Sequence, residues 1–189
     1  MNQQQLIDEF IQSPVIAAVR DGVQLDRALH GGVRTVFLLG GSVNELAASC
    51  KKVLDNGRIC FLHVDLIEGL RPDQQGIRFV AQQFKPTGII TTKQACVRWA
   101  RGFDLFCVQR IFMLDSTAVQ DGLRLIESCN PDLVEILPGA AEKVIRLAAE
   151  HFKRPLIAGG LVSSREEVYA ALAAGALAVS TSCEALWNL

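Results

Sequence analysis

The sequence predicts a closed (β/α)8 barrel, one domain over residues 1–189, and three observations carry that reading. Short β-branched or apolar runs alternate with stretches of helical spacing from one end of the chain to the other. Eight such runs occur. No linker, low-complexity segment or run of like charge divides them. Strict β, α alternation forces parallel pairing with right-handed crossovers, and eight units in succession close on themselves. Barrels of this kind run nearer ~250 residues, so a chain of 189 must have short loops and no inserted lid domain. The competing arrangement, an open doubly wound sheet, calls for a glycine-rich turn after the first strand, and Arg20-Asp21-Gly22 is not one.

In chain order, the first strand is read at Val15–Arg20 from the unbroken apolar run Val15-Ile-Ala-Ala-Val19, the pattern of a strand covered on both faces. Thr35–Leu39 is the second. A helix follows over Val43–Asn56, with Leu46, Ala47, Cys50, Val53 and Leu54 on one face and Gly57 as its left-handed stop. Strands three to six are read at Arg58–Val64, Gly88–Thr91, Leu105–Arg110 and Leu133–Leu137. The helix Ala140–Phe152 carries Val144, Ile145, Leu147, Ala148 and Phe152 toward the core. The seventh strand, Pro155–Ala158, leads through Gly159-Gly160 to a helix opened by a capping box, either Ser163 with Glu166 or Ser164 with Glu167. Gly175 stops that helix and Ala176–Ser180 is the eighth strand.

Composition narrows the function. Half the residues are apolar and 21% charged, which excludes disorder, and 19 Lys and Arg against 20 Asp and Glu leave a net charge of -1. Such a balance argues against a large, permanent nucleic-acid footprint, though not against a local patch. Mean hydropathy is +0.25, yet Val15–Val19 and Ala176–Val179 fall far short of the roughly 20 residues of a membrane span. The segment Met1–Phe10 carries acidic and amide residues where a secretory signal would carry Lys or Arg, so a cytoplasmic protein is expected. The six cysteines at 50, 60, 96, 107, 129 and 183 show no ligand spacing, so no metal is expected; Cys60 and Cys107 read as small buried hydrophobes. His30 and His151 fall in helices.

In a parallel barrel, chemistry collects at the C-terminal ends of the strands. There the chain places Arg20, His63 with Asp65, Thr91-Thr92-Lys93, Gln109-Arg110, Glu135, Gly159-Gly160 and Ser180-Thr181-Ser182. Residues two apart on a strand share a face, so His63 and Asp65 are expected to point the same way, as are Thr91 and Lys93; which face is inward is not readable. The last two turns carry the most specific signal. Gly159, Gly160, Ser180, Thr181 and Ser182 would offer accessible backbone N–H groups and hydroxyls to a phosphate between the seventh and eighth strands. Two ordinary tight turns would look similar. The same titratable rim would also serve an isomerase, epimerase or lyase of a small phosphorylated metabolite, with Asp65 or Glu135 as base and Lys93 or His63 as acid or electrophile.

The motifs His63-Val-Asp-Leu-Ile-Glu-Gly69, Gly88-Ile-Ile-Thr-Thr-Lys93, Val108-Gln-Arg-Ile-Phe-Met-Leu-Asp-Ser116, Glu135-Ile-Leu-Pro-Gly139, Ala158-Gly-Gly160 and Ser180-Thr-Ser182, in order, resemble the bacterial glycerol-3-phosphate-responsive antiterminators. These are also called glycerol uptake operon antiterminator regulatory proteins, and the match runs from about Val15 to Trp187. The resemblance implies a compact TIM-type barrel that is a regulator rather than an enzyme, with glycerol 3-phosphate as effector, no cofactor, and leader mRNA of glycerol-utilisation genes as partner. The rim residues Arg20, His63, Asp65, Lys93, Arg110 and Glu135, beside the phosphate turns, are the candidates for holding that effector. Arg71, Arg78, Lys85, Arg98 and Arg101, on or beside the third and fourth helices, are the candidates for RNA contact, with a solvated helix face as the plain alternative for each. Oligomeric state stays open, a homo-oligomer being compatible with all of this.

Overall fold

The computed structural model describes residues 1–115 and 117–189, and in it eight parallel strands close into a barrel in chain order. The strands are β1 (Val15–Val19), β2 (Thr35–Leu38), β3 (Ile59–His63), β4 (Gly88–Thr91), β5 (Phe106–Phe112), β6 (Leu133–Leu137), β7 (Leu156–Gly159) and β8 (Ala178–Thr181). The barrel shuts where β1 meets β8, with Ile16 opposite Ser180. Helices α2 (Gly22–His30), α3 (Val43–Asp55), α4 (Gln74–Phe79), α5 (Gln94–Arg101), α6 (Thr117–Cys129), α7 (Glu142–His151) and α8 (Arg165–Ala173) alternate with the strands, and α1 (Gln3–Gln12) precedes them. A π-helical turn over Val80–Phe84 extends α4, and a 3₁₀ turn over Glu184–Leu186 follows β8. The last residue of the Val108–Ser116 motif lies outside the described residues. No described helix is long and apolar enough to cross a membrane.

Two apolar layers divide each strand by parity. Ile16 and Ala18 of β1, Phe37 of β2, Phe61 of β3, Ile90 of β4, Val108 of β5, Leu133 of β6, Ile157 of β7 and Ala178 of β8 fill the barrel. Their neighbours Ala17, Val36, Cys60, Ile89, Cys107, Val134, Ala158 and Val179 pack outward against the helices. Phe37 and Phe61 meet edge to face at 5.5 Å between ring centres, an arrangement worth about 0.5–1.5 kcal/mol beyond the burial itself. The base of the barrel is plugged by α1. Asn2 and Gln5 form its capping box, and Leu6 and Phe10, one turn apart, enter the interior layer. The sequence reading has no helix here, because two core residues in a ten-residue stretch rich in Gln carry too little periodicity to separate it from a polar terminus.

Strand and helix ends differ by a residue or two from the sequence reading. The capping box of α8 resolves to Ser164 with Glu167, and the same carboxylate also takes the Ser163 N–H at 2.7 Å. One shift matters for the site. Because β3 ends at His63 and turns at once into a 3₁₀ turn over Val64–Leu66, the period-2 relation between His63 and Asp65 is broken.

Candidate functional site

The parity of the barrel decides which rim residues face its axis. Continuing the interior rows upward puts His63 above Phe61, Arg110 above Val108, Glu135 above Leu133 and Ser180 above Ala178. Thr91, Gln109 and Thr181 belong to the outward rows.

At the centre lies a buried ion pair. The Arg110 Nε donates to Glu135 Oε2 at 2.6 Å, with the two side chains 10% and 1% exposed. Ser180 Oγ donates to Glu135 Oε1 at 2.6 Å, so one carboxylate oxygen is held from the adjacent β5 and the other from β8, two strands away. Gly159, on β7 between them, is glycine for want of room: a Cβ there would lie 2.4 Å from Glu135 Oε1 and 2.8 Å from Ser180 Oγ. His63 is 2% exposed, and its Nδ1 has no hydrogen-bond partner. Burial, reinforced by the positive charge of Arg110, pushes its pKa down to about 4, so the imidazole is neutral at pH 7.

That shift has a measurable consequence. The unfolded chain protonates this imidazole below about 6.5 and the folded one only near 4, so the unfolded state binds more protons in that window. Stability is expected to be undiminished by this group above pH 6.5 and to fall by up to about 3 kcal/mol as pH approaches 4. His63→Asn should flatten that part of a thermal-denaturation profile measured against pH.

Above the ion pair a cavity of about 460 Å³ opens at the C-terminal mouth, lined by Arg20, Arg110 and Glu135, by the β7 turn from Gly160 to Ser163, and by the β8 turn through Ser182 and Cys183. The two glycine- and hydroxyl-bearing turns thus come to one place, as their sequence positions lead one to expect. Gly160 sits at φ +81 and Leu161 at φ +62, a tight left-handed corner in which the N–H groups of Gly160 and Leu161, like that of Ser182, meet no protein acceptor among the described residues. Arg20, exposed beyond the end of β1, makes no ion pair among the described residues and faces the cavity. Donors and a cation around an open mouth are an arrangement suited to an anion.

Several candidates have other work. Thr181 also lines the cavity, but its Oγ1 donates to Val162 O at 2.7 Å and accepts from Cys183 N at 3.0 Å, so its hydroxyl clasps the two turns together. Asp65 accepts from Thr91 Oγ1 at 2.9 Å, from Thr92 N at 2.7 Å and from Thr92 Oγ1 at 2.9 Å, tying the turn after β3 to the end of β4. Thr91 itself is completely buried, and Lys93 is exposed at the start of α5, outside the residues that line the cavity. Val162, Ser163 and Cys183 line the mouth without having been singled out for it; in the sequence Ser163 carries only a capping signal and Cys183 none.

The basic candidates divide between the two ends of the barrel and the α4 and α5 faces. Arg71, in the loop before α4, pairs with Asp73 at 3.2 Å on the rim side. Arg78 and Arg98 lie along α4 and α5, Arg98 reaching Gln94 at 3.4 Å. Arg101 donates to Asn130 O at 3.0 Å, and it and Lys85 lie at helix ends that lead into strand starts, on the face opposite the mouth. The helical histidines bond their own helices, His30 to Asp26 O and His151 to Leu147 O.

The sequence pattern of the glycerol-3-phosphate responsive antiterminators matches residues 15–187. The Escherichia coli K12 protein called uncharacterized protein YgcP is 36% identical over 178 residues, 94% of this chain and 93% of its own length. The crystal structure of the glycerol uptake operon antiterminator regulatory protein of Listeria monocytogenes superposes with a TM-score of 0.88 at 34% identity, over 93% of this chain and 95% of that one. A glycerol uptake operon antiterminator-related protein of Thermotoga maritima superposes at 0.83 with 35% identity, over 94% and 99%. Barrel enzymes at 9 to 14% identity share the fold alone.

Proposed function

Because the chain belongs to the family of glycerol-3-phosphate responsive antiterminators, regulators rather than catalysts, we propose that its barrel mouth binds glycerol 3-phosphate and that the liganded form acts in the cytoplasm on the leader mRNA of glycerol-utilisation genes. The observation that supports the site is the meeting of the β7 and β8 turns, with unpaired N–H groups at Gly160, Leu161 and Ser182, across a cavity from Arg20. The phosphate is received by those backbone groups, by the Ser182 hydroxyl and by the Arg20 guanidinium, while the glycerol part reaches down toward Arg110 and Glu135 with His63 beside them. Gly159, Ser180 and Thr181 shape the phosphate turns; Asp65 holds the rim loop. No cofactor enters this reading, and the oligomeric state plays no part in it.

Cys183 supplies the test. It lines the cavity and is partly exposed, whereas the other five cysteines are buried, so a thiol reagent such as iodoacetamide should modify Cys183 first. Glycerol 3-phosphate is expected to slow that modification several-fold, glycerol alone not at all, with the site of alkylation read by peptide mass spectrometry. Equal rates with and without the phosphorylated ligand, at concentrations where calorimetry shows binding, would place the ligand elsewhere.

A further inference from the structure

We infer that Arg110, Glu135 and Ser180 read the oxidation level of the carbon beside the phosphate-bearing one, accepting a hydroxyl there and refusing a carbonyl. The inference rests on the mouth being the effector site and adds a ligand class to it: polyol phosphates, as against keto phosphates of the same skeleton.

The chemistry follows from what the three side chains can and cannot do. The Glu135 carboxylate, paired with Arg110, serves here as an acceptor. One bond from Arg110 Nε and one from Ser180 Oγ, each 2.6 Å, occupy two of its roughly four lone-pair positions, so acceptor capacity remains on a residue that lines the cavity. The carboxylate has little room on the β7 side, where a Cβ at Gly159 would come within 2.4 Å of Oε1, and its two hydrogen bonds hold it in this orientation. Arg110 donates only. Its Nε is committed to Glu135, whereas its two terminal nitrogens make no bond among the described residues, and Arg110 borders the same cavity.

A donor-only group and an acceptor-only group therefore stand side by side at the floor of the mouth. A ligand hydroxyl answers both, giving its proton to Glu135 and taking one hydrogen bond from Arg110. A carbonyl oxygen can answer Arg110 alone, and it sets its own lone pairs against those of a carboxylate that is 1% exposed and fixed in place. The phosphate group is common to both ligands, so its contribution cancels, and the difference in affinity belongs to this floor.

The test compares glycerol 3-phosphate with dihydroxyacetone phosphate by calorimetry, on the unsubstituted chain and on Glu135→Gln. The unsubstituted chain should bind the alcohol about 10-fold or more tighter than the ketone. In Glu135→Gln the amide can turn its NH2 to a carbonyl oxygen, so the ratio should fall to within about 3-fold. A purely structural role for Glu135 would weaken both ligands alike and leave the ratio standing. A ratio near one on the unsubstituted chain, or a ratio unmoved in Glu135→Gln, overturns the inference; the first comparison needs no substitution and decides even if the variant does not fold. Gly160→Val separates this from the site itself. If it abolishes both ligands while the unsubstituted ratio is near one, only the inference falls. Should both ligands still bind Gly160→Val, or neither bind the unsubstituted chain, the effector site has been misplaced and the inference falls with it.

Discussion

Arg110→Met is expected to destabilise the barrel by about 3–5 kcal/mol, the largest loss of any single substitution in the mouth. The reason is the charge it strands. Glu135 is 1% exposed, and without Arg110 only the Ser180 hydroxyl would remain to offset a carboxylate in the barrel interior. The loss belongs to the unpaired carboxylate rather than to the pair as such, because removing two charges from water costs nearly as much as their attraction returns. Arg110→Met combined with Glu135→Met should therefore recover most of the stability in urea denaturation. The double variant should still fail to bind glycerol 3-phosphate, since both polar groups of the floor are gone. Recovery of binding along with stability would show that the pair serves folding alone.

Gly160→Val is expected to abolish effector binding while leaving the barrel folded. Gly160 occupies φ +81, a left-handed conformation that a β-branched residue adopts at a cost of order 1–3 kcal/mol, and its new Cβ would stand 3.2 Å from Leu137 Cδ2. The turn must shift, and the N–H groups it offers at Gly160 and Leu161 shift with it. The strand framework beneath is held by continuous β6, β7 and β8 pairing and should survive, as circular dichroism would report. If phosphate binding gates action on RNA, the variant should lose the effector-stimulated part of leader-RNA binding and keep any basal, salt-sensitive part supplied by surface Lys and Arg. Effector-stimulated binding that persists in a variant unable to bind effector would refute the coupling.

The closed barrel, its eight strands in order and the meeting of its last two turns were all legible in the residues, because each rests on local periodicity and chain order, and parallel closure leaves one topology. The family, too, was legible, from motifs that lie at strand ends. The roles of individual rim residues were not. A parallel strand buried on both faces is apolar on both, so its alternation says nothing about which side looks inward. Ser180 and Thr181 are chemically alike and adjacent; the barrel aims the first at Glu135 and the second outward at Val162, where it clasps two turns. Asp65 left the expected face because β3 ends two residues earlier and turns, committing its carboxylate to Thr91 and Thr92. The pairing of Arg110 with Glu135 joins β5 to β6 across 25 residues, and α1 gains its identity only by filling the base of the barrel with Leu6 and Phe10. The sequence by itself determined that eight strands would form and in what order; only closure of the sheet, which assigns every second side chain to a narrow interior with room for a few polar groups, decided which residues make the site.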